Sequence, residues 1–90
     1  MFKYKPSICL SYERQGYIYF KSLSYNTLPK SEREAIDELC QKAGGEYREA
    51  LFRFVTTDTS ATKICMEHYL SKATLYRLVK RYYETFPQKL

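Results

Sequence analysis

The 90-residue sequence has no tryptophan, only one histidine and three glycines, and no long apolar run. Without a run of roughly eighteen apolar residues, the sequence provides no transmembrane helix. The first residues, 1–6, also lack the apolar stretch of a secretory signal. We therefore expect a protein that stays in the cytoplasm.

Cysteine is scarce, and its three copies, Cys9, Cys40 and Cys65, are widely spaced. An odd number at such spacing is a poor disulfide framework and fits free thiols in a reducing compartment. The three thiols and His68 could in principle form a zinc site, but no two cysteines have the close spacing of a zinc knuckle. Cys40 and Cys65 fall on apolar helix faces, which favours core packing, and we expect no metal or other cofactor.

The sequence also lacks the arrangements that catalysis requires. No Ser/His/Asp or Cys/His set and no pair of catalytic carboxylates can be identified, and the single histidine, His68, lies on a predicted inward face. Gly44-Gly45 lacks the lysine and the spacing of a phosphate-binding loop, and it is better interpreted as a helix stop. We expect neither enzymatic activity nor a small-molecule ligand.

Basic residues, in contrast, are abundant and concentrated. The net charge is +5, from 15 basic and 10 acidic residues. Most of this excess lies after residue 71, where one acid, Glu84, accompanies the basic residues Lys72, Arg77, Lys80, Arg81 and Lys89. A basic cluster on one element is typical of a protein that binds a polyanion.

Aromatic residues are also abundant, with ten tyrosines and five phenylalanines. Such residues could stack on single-stranded nucleic acid, but half-buried packing is the more frequent role in a small helical domain.

The pattern of apolar residues predicts a single all-α domain over residues 1–90. Residues 7–22 are ambiguous: a β-hairpin with a turn at residues 13–16 competes with a helix from Tyr17 to about Asn26, which we favour. Ser31 and Glu34 predict a capping box for a helix that closes at Gly44-Gly45. The apolar stripe of that helix is Ile36, Leu39, Cys40 and Ala43.

Three further helices are predicted in the second half. The first runs from about Glu46 to Thr56, the second starts at a cap provided by Asp58 or Thr59, and the last spans about residues 72–85. Residues 46–86 would thus form a three-helix unit. Residues 1–45 would form N-terminal helices that offer a dimer or partner surface.

The last helix divides into an apolar and a polar side. Ser71 is a suitable N-cap, since its hydroxyl can accept a hydrogen bond from the amide of Thr74. The apolar side comprises Leu75, Leu78, Val79, Tyr82 and Phe86, and the polar side Ala73, Arg77, Lys80 and Glu84, flanked by Tyr76 and Arg81. Ala73 permits close approach to base edges, and Arg77 can bond guanine O6 and N7. Lys72, Lys80 and Arg81 are better suited to phosphates.

The pattern Ser71-x-x-Thr74-Leu75-Tyr76-Arg77 resembles the start of the recognition helix in bacterial helix-turn-helix proteins. It is similar to lac-repressor-like regulators and to resolvase- and Fis-like proteins, and the resemblance covers residues 58–83. It implies that the last helix enters the major groove, that Lys72, Ala73 and Arg77 contact bases, and that Ser71 and Tyr76 contact the backbone. Tyr69 replaces the usual turn glycine, so a slightly different turn is expected.

In layout the chain also looks like sigma-region-4-like late-gene activators of phages and mobile elements. The expected function is therefore sequence-specific binding of double-stranded DNA, as a transcriptional regulator of bacterial, phage or mobile-element origin. A homodimer or RNA polymerase would be a further partner, and no membrane is involved. The alternative is a protein-interaction adaptor, binding polymerase or a regulator without reading DNA.

Overall fold

The computed structural model describes residues 2–90, and within this range the chain is all-α, as the sequence predicts. The helices are α1 (Tyr12–Leu23), α2 (Lys30–Gly44), α3 (Arg48–Thr56), α4 (Ala61–His68) and α5 (Lys72–Thr85). Single 3₁₀ turns at Tyr25–Thr27 and Gly45–Tyr47 follow α1 and α2. None of the helices among residues 2–90 is long and apolar enough to cross a membrane.

The alternative of an N-terminal β-hairpin is wrong. The helix that we favoured is present, but it begins at Tyr12, five residues before the expected start at Tyr17. Ser11 starts α1, because its Oγ accepts a hydrogen bond from the Arg14 amide at 3.1 Å. The buried stripe is Gln15, Ile18 and Ser22, a helical spacing in which two of the three residues are polar. Because Gln15 and Ser22 are polar, the apolar pattern of the sequence did not indicate this buried face. No strand occurs in the part of the chain that the structure describes.

The end of α2 is as predicted, but its start is not. Pro29 is the N-cap, without a side-chain hydrogen bond, so Ser31 lies inside the first turn and the predicted capping box is wrong. At the other end, Gly45 has φ +55°, a conformation that glycine adopts without strain. The predicted stripe is confirmed: Ile36, Cys40 and Ala43 are buried and Leu39 is half-buried.

The middle helices are also shifted relative to the prediction. The 3₁₀ turn delays the start of α3 to Arg48 instead of Glu46. Ser60 caps α4, since its Oγ accepts from the Lys63 amide at 3.2 Å, so neither Asp58 nor Thr59 is the cap. An ion pair between Arg53 and Glu67 joins α3 to α4.

One hydrophobic core unites all five helices. α2 packs on α3 and α5, α1 packs on α3, and α4 contacts both α3 and α5. Across this core the hydroxyls of Ser22 and Tyr82 lie 2.7 Å apart, both buried. Side chains from every helix contribute to the core: Ile18, Ile36, Cys40, Ala50, Leu51, Val55, Ile64, Leu75, Leu78, Val79, Tyr82, Tyr83 and Phe86.

Buried Gln15 fixes the segment that precedes α1. Its Oε1 accepts from the Lys5 amide at 2.9 Å, and its Nε2 lies 3.1 Å from the carbonyl oxygens of both Lys5 and Leu10. The same nitrogen is 3.4 Å from the Ile8 carbonyl oxygen, and Ile8 itself is buried in the core. The amide therefore adds side-chain bonds to a segment whose Lys5 and Ile8 carbonyl oxygens also accept from the Ile8 and Leu10 amides, and it holds residues 5–10 against α1.

Candidate nucleic-acid interface

The start of α5 is built as its sequence predicts. The Oγ of Ser71 accepts a hydrogen bond from the Thr74 amide at 3.1 Å and donates to the Thr74 hydroxyl at 2.9 Å. After this cap, the apolar side of α5 packs in the core, where Leu75 and Val79 have almost no exposed surface. Burial of that side fixes the rotation of the helix and thereby determines which residues face solvent.

All seven residues that the sequence singles out for DNA contact are exposed. Six of them follow one another on the outward side of α5 and the seventh is its N-cap: Ser71, Lys72, Ala73, Tyr76, Arg77, Lys80 and Arg81. Among the described residues, Lys72, Arg77 and Lys80 form no ion pair, so their charges are uncompensated at short range. Lys72 and Lys80 are eight residues apart, roughly 12 Å along the helix axis.

Arg81 differs from the other cations because it makes an internal contact. Its guanidinium donates a hydrogen bond to the carbonyl oxygen of Ala43, at 3.1 Å. Ala43 lies in the last turn of α2, where free carbonyls and the negative end of the helix dipole favour a cation. Arg81 therefore helps to hold α5 on α2, a role that the sequence did not suggest.

The turn between α4 and α5 contains a residue in the left-handed backbone conformation, which we expected a tyrosine at this position to avoid. Tyr69 has φ +57° and ψ +50°, and it is 90% exposed. The amides of Tyr69 and Leu70 both donate to the carbonyl oxygen of Cys65, which closes the end of α4. The tyrosine thus adopts the backbone conformation in which glycine is usual, so the expectation of a different turn is wrong on this point.

Two lysines that sequence reasoning missed lie beside α5. Lys5 Nζ is 5.9 Å from the ring centroid of Tyr76, within the range of a cation–π contact. Burial lowers the pKa of Lys5, and the nearby charge of Lys3 lowers it further. In the sequence, only the alternation of lysine and aromatic residues over 2–5 pointed to these lysines, and it does not indicate where the segment packs. The hydrogen bonds of Gln15 determine the position of this segment.

Lys3 and Lys5 line a cavity of about 400 Å³ that Tyr76 closes on one side. The rest of its lining consists of Tyr19 of α1, Tyr83 of α5, and residues 54–55 and 57–61, from the end of α3 to the start of α4. The cavity also contains a carboxylate, Asp58, which accepts a hydrogen bond from the Tyr19 hydroxyl at 3.4 Å. Positive charge therefore extends from α5 to the N-terminal segment, and Asp58 is the one acid among the residues that line the cavity.

The cysteines and the histidine do not converge. Cys40 is buried, as predicted, Cys65 is half-buried on α4, and Cys9 is exposed. Burial raises the pKa of the Cys40 thiol to about 12, with the charge of Asp37 adding to the shift. No group of three or more potential metal ligands occurs within residues 2–90.

Comparison with known proteins does not assign the chain to a family. The chain matches no protein-family model, no curated protein and no solved structure. The chemistry of this surface is therefore the basis for the functional argument.

Proposed function

We propose that the protein binds double-stranded DNA through α4 and α5 acting as a helix-turn-helix. In this proposal α5 enters the major groove, with Ala73 and Arg77 at base edges and Lys72 near them. Lys80 contacts a phosphate, and Ser71 and Tyr76 contact the backbone at the start of the helix. The protein would act as a transcriptional regulator of bacterial, phage or mobile-element type, without catalytic activity.

The exposed cationic side of α5 is the observation that carries the proposal. Lys72, Arg77 and Lys80, which form no ion pair with any residue of the range 2–90, project from a helix whose opposite side is buried. Basic side chains that are not used within the fold are what neutralisation of phosphates requires, since each contact releases a condensed counterion. Small Ala73 among them lets the helix axis come close to the bases.

The geometry modifies the assignment in two respects, which concern Arg81 and the pair Lys3 and Lys5. Arg81 already bonds an α2 carbonyl, so its contribution to DNA would be secondary to its role in the fold. Lys3 and Lys5 join the proposed surface, because Lys5 stacks on Tyr76 beside the DNA-facing side of α5. A phosphate near Lys3 and Lys5 would relieve the repulsion between these two ammonium groups.

Selection from a random pool of duplex DNA at moderate salt tests this proposal. We expect an enriched sequence, and we expect Arg77→Ala to weaken its binding by about 1–3 kcal/mol and to relax preference at one position. The matched control is Arg33→Ala on α2, which should bind like the unmodified protein. Failure to enrich any sequence, or equal binding by Arg77→Ala, would contradict the assignment.

The second candidate is a protein-interaction adaptor. The observation in its favour is the set of exposed aromatic side chains on α1, among them Tyr12 and Phe20. The two functions differ in their response to salt. Binding through phosphates weakens steeply as salt increases, whereas an apolar protein interface changes little.

A further inference from the structure

The cavity between the N-terminal segment and the α3–α4 connection contains donor groups that the fold does not use. We call it the lysine cavity, because Lys3 and Lys5 line it beside Tyr76. Its volume of about 400 Å³ lies within the roughly 300–1,000 Å³ that is typical of small-molecule sites. Because its lining comes from separate stretches of the chain, no sequence pattern indicated it, and we expected no small-molecule ligand.

The hydroxyl of Tyr83 is a buried donor that lines this cavity. Tyr83 is only 6% exposed, and its hydroxyl forms no hydrogen bond with any of residues 2–90. Within the same range, no completely enclosed side-chain oxygen or nitrogen lacks a hydrogen bond, so the Tyr83 hydroxyl must open to the cavity that the residue lines. Burial raises the pKa of Tyr83, and the nearby Tyr19 raises it further, so the hydroxyl keeps its proton and can donate.

Lys3 and Lys5 also lack an acceptor in the fold. Neither lysine forms an ion pair with any of residues 2–90, and Lys5 is half-buried. An ammonium group that is partly removed from water without an acceptor is unfavourable, so an anion beside it would be stabilising. Two lysines against one acid, Asp58, leave a charge of +1 on the described lining. The lysine cavity therefore favours an anionic ligand.

The donors occupy different positions along α5, which indicates an elongated ligand. Lys5 Nζ lies 5.9 Å from the ring centroid of Tyr76. Tyr76 and Tyr83 are seven residues apart, roughly 10 Å along the helix axis. A phosphate group is only a few water molecules in size, at roughly 30 Å³ for each water, so it cannot fill this cavity alone. The lining also includes the apolar side chains of Phe54 and Val55, against which a flat ring can pack.

We propose that the lysine cavity binds a nucleotide with a terminal phosphate group. The phosphate oxygens accept hydrogen bonds from Lys3 and Lys5, and the base packs against Phe54 and Val55. A nitrogen or carbonyl oxygen of the base accepts from the Tyr83 hydroxyl. This inference goes beyond the proposed function and does not rest on it, because binding of the nucleotide requires no duplex DNA.

Isothermal titration calorimetry of the full chain without duplex DNA tests this binding. The common ribonucleoside 5′-monophosphates are compared with inorganic phosphate and with the corresponding nucleosides. At least one nucleotide should bind with a dissociation constant of roughly 10–100 µM, about tenfold tighter than phosphate or its nucleoside. If no nucleotide binds up to about 1 mM, or if phosphate alone binds equally well, the proposal is overturned. A 5′-phosphorylated trinucleotide distinguishes the sources of the ligand: binding as tight as that of the mononucleotide assigns the cavity to strand ends, and weaker binding assigns it to free nucleotides.

Tyr83→Phe separates loss of binding from loss of folding, because it removes only a hydroxyl that the fold does not use. It should weaken nucleotide binding about tenfold and leave the urea midpoint unchanged. The matched control is Tyr82→Phe, in which the lost hydroxyl is bonded to Ser22 at 2.7 Å. The control should lower the urea midpoint and bind the nucleotide normally. Unchanged nucleotide affinity in Tyr83→Phe would contradict the assignment of this hydroxyl.

Lys5→Gln and Lys80→Gln form a second matched pair, because each removes one positive charge and only Lys5 lines the cavity. Lys5→Gln should weaken nucleotide binding about tenfold, whereas Lys80→Gln should leave it unchanged. Equal weakening by the two variants would mean that net charge alone attracts the nucleotide, and it would overturn the proposal. Since Lys80 is assigned to a DNA phosphate, its variant also separates the nucleotide site from the DNA surface.

Discussion

Gln15→Leu is the substitution that best tests how the N-terminal segment is held on the helices. Leucine is close to glutamine in size and favours the helix, but it provides neither a donor nor an acceptor. The change removes one accepted bond, from the Lys5 amide, and the bonds that Nε2 donates to carbonyl oxygens. Since Nε2 carries two hydrogens, at most three good hydrogen bonds are lost at one time.

The expected loss follows from two limits. Three hydrogen bonds at a net 0.5–1.5 kcal/mol each give about 1.5–4.5 kcal/mol. Release of residues 2–10 into water would satisfy the backbone groups but expose Ile8, whose burial contributes about 1.5–3 kcal/mol. The protein adopts whichever of these two responses costs less, so we expect the free energy of unfolding to fall by about 1.5–3 kcal/mol.

Urea unfolding followed by helical circular dichroism measures this loss, and hydrogen exchange at the Lys5 amide should become faster in the variant. The matched control is Gln41→Leu on α2, where the glutamine is exposed and the change should stay within about 0.5 kcal/mol. If Gln15→Leu also loses less than about 0.5 kcal/mol, or if exchange at Lys5 is unaffected, the amide does not hold the segment.

Three other predictions concern the turn, the core thiol and the basic side of α5. Tyr69→Gly should raise the free energy of unfolding by about 0.5–1 kcal/mol in a urea titration, because the left-handed conformation strains tyrosine; a lower value would mean that the ring contributes packing. The pKa of Cys40, raised from 9.0 to about 12, implies that the unfolded chain loses its thiol proton first. The stability that this thiol contributes is therefore intact below pH 9 and declines as the pH rises through 12. The urea midpoint should therefore fall between pH 9 and about pH 10.5, and it should fall less in a Cys40→Ala variant. Arg81→Ala should lower the free energy of unfolding by about 1 kcal/mol and Lys80→Ala should not, since Arg81 donates a hydrogen bond to the Ala43 carbonyl oxygen, whereas Lys80 forms no ion pair within the described range 2–90; equal unfolding curves would contradict that difference.

The features predicted correctly from the sequence are those that short-range patterns determine. The Ser71 cap needs only residues 71–74, and the apolar stripes of α2 and α5 need only their own helical periods. The glycine stop at the end of α2 is likewise local, because positive φ is a property of one residue. Each of these elements could be derived without knowledge of the tertiary structure.

Two errors were local, because the caps of α2 and α4 lie one or two residues from the predicted ones. The other errors arose where distant groups determine the local structure. Gln15 and Ser22 were not recognised as buried, because their partners are the backbone at residues 5–10 and the hydroxyl of Tyr82. Tyr69 takes a strained conformation because α4 and α5 must both bury apolar stripes in the same core. The position of Lys5 beside α5 likewise depends on the attachment of residues 5–10 to α1, which no sequence pattern indicates.

The central claim is that the exposed cations of α5 bind duplex DNA, and the salt dependence of binding tests it most directly. Fluorescence anisotropy of a labelled duplex, titrated at several salt concentrations, gives the slope of log affinity against log salt. With about four to five phosphate contacts we expect a slope of about −4, and its magnitude should fall by roughly 1–2 when Lys72, Arg77 and Lys80 are all replaced by Ala, because Lys80 contacts a phosphate and Lys72 is suited to one, whereas Arg77 contacts a base. The triple variant should retain its helical circular dichroism, since these side chains make no ion pair within the described residues. A slope near zero, or the same slope in the triple variant, would contradict the claim.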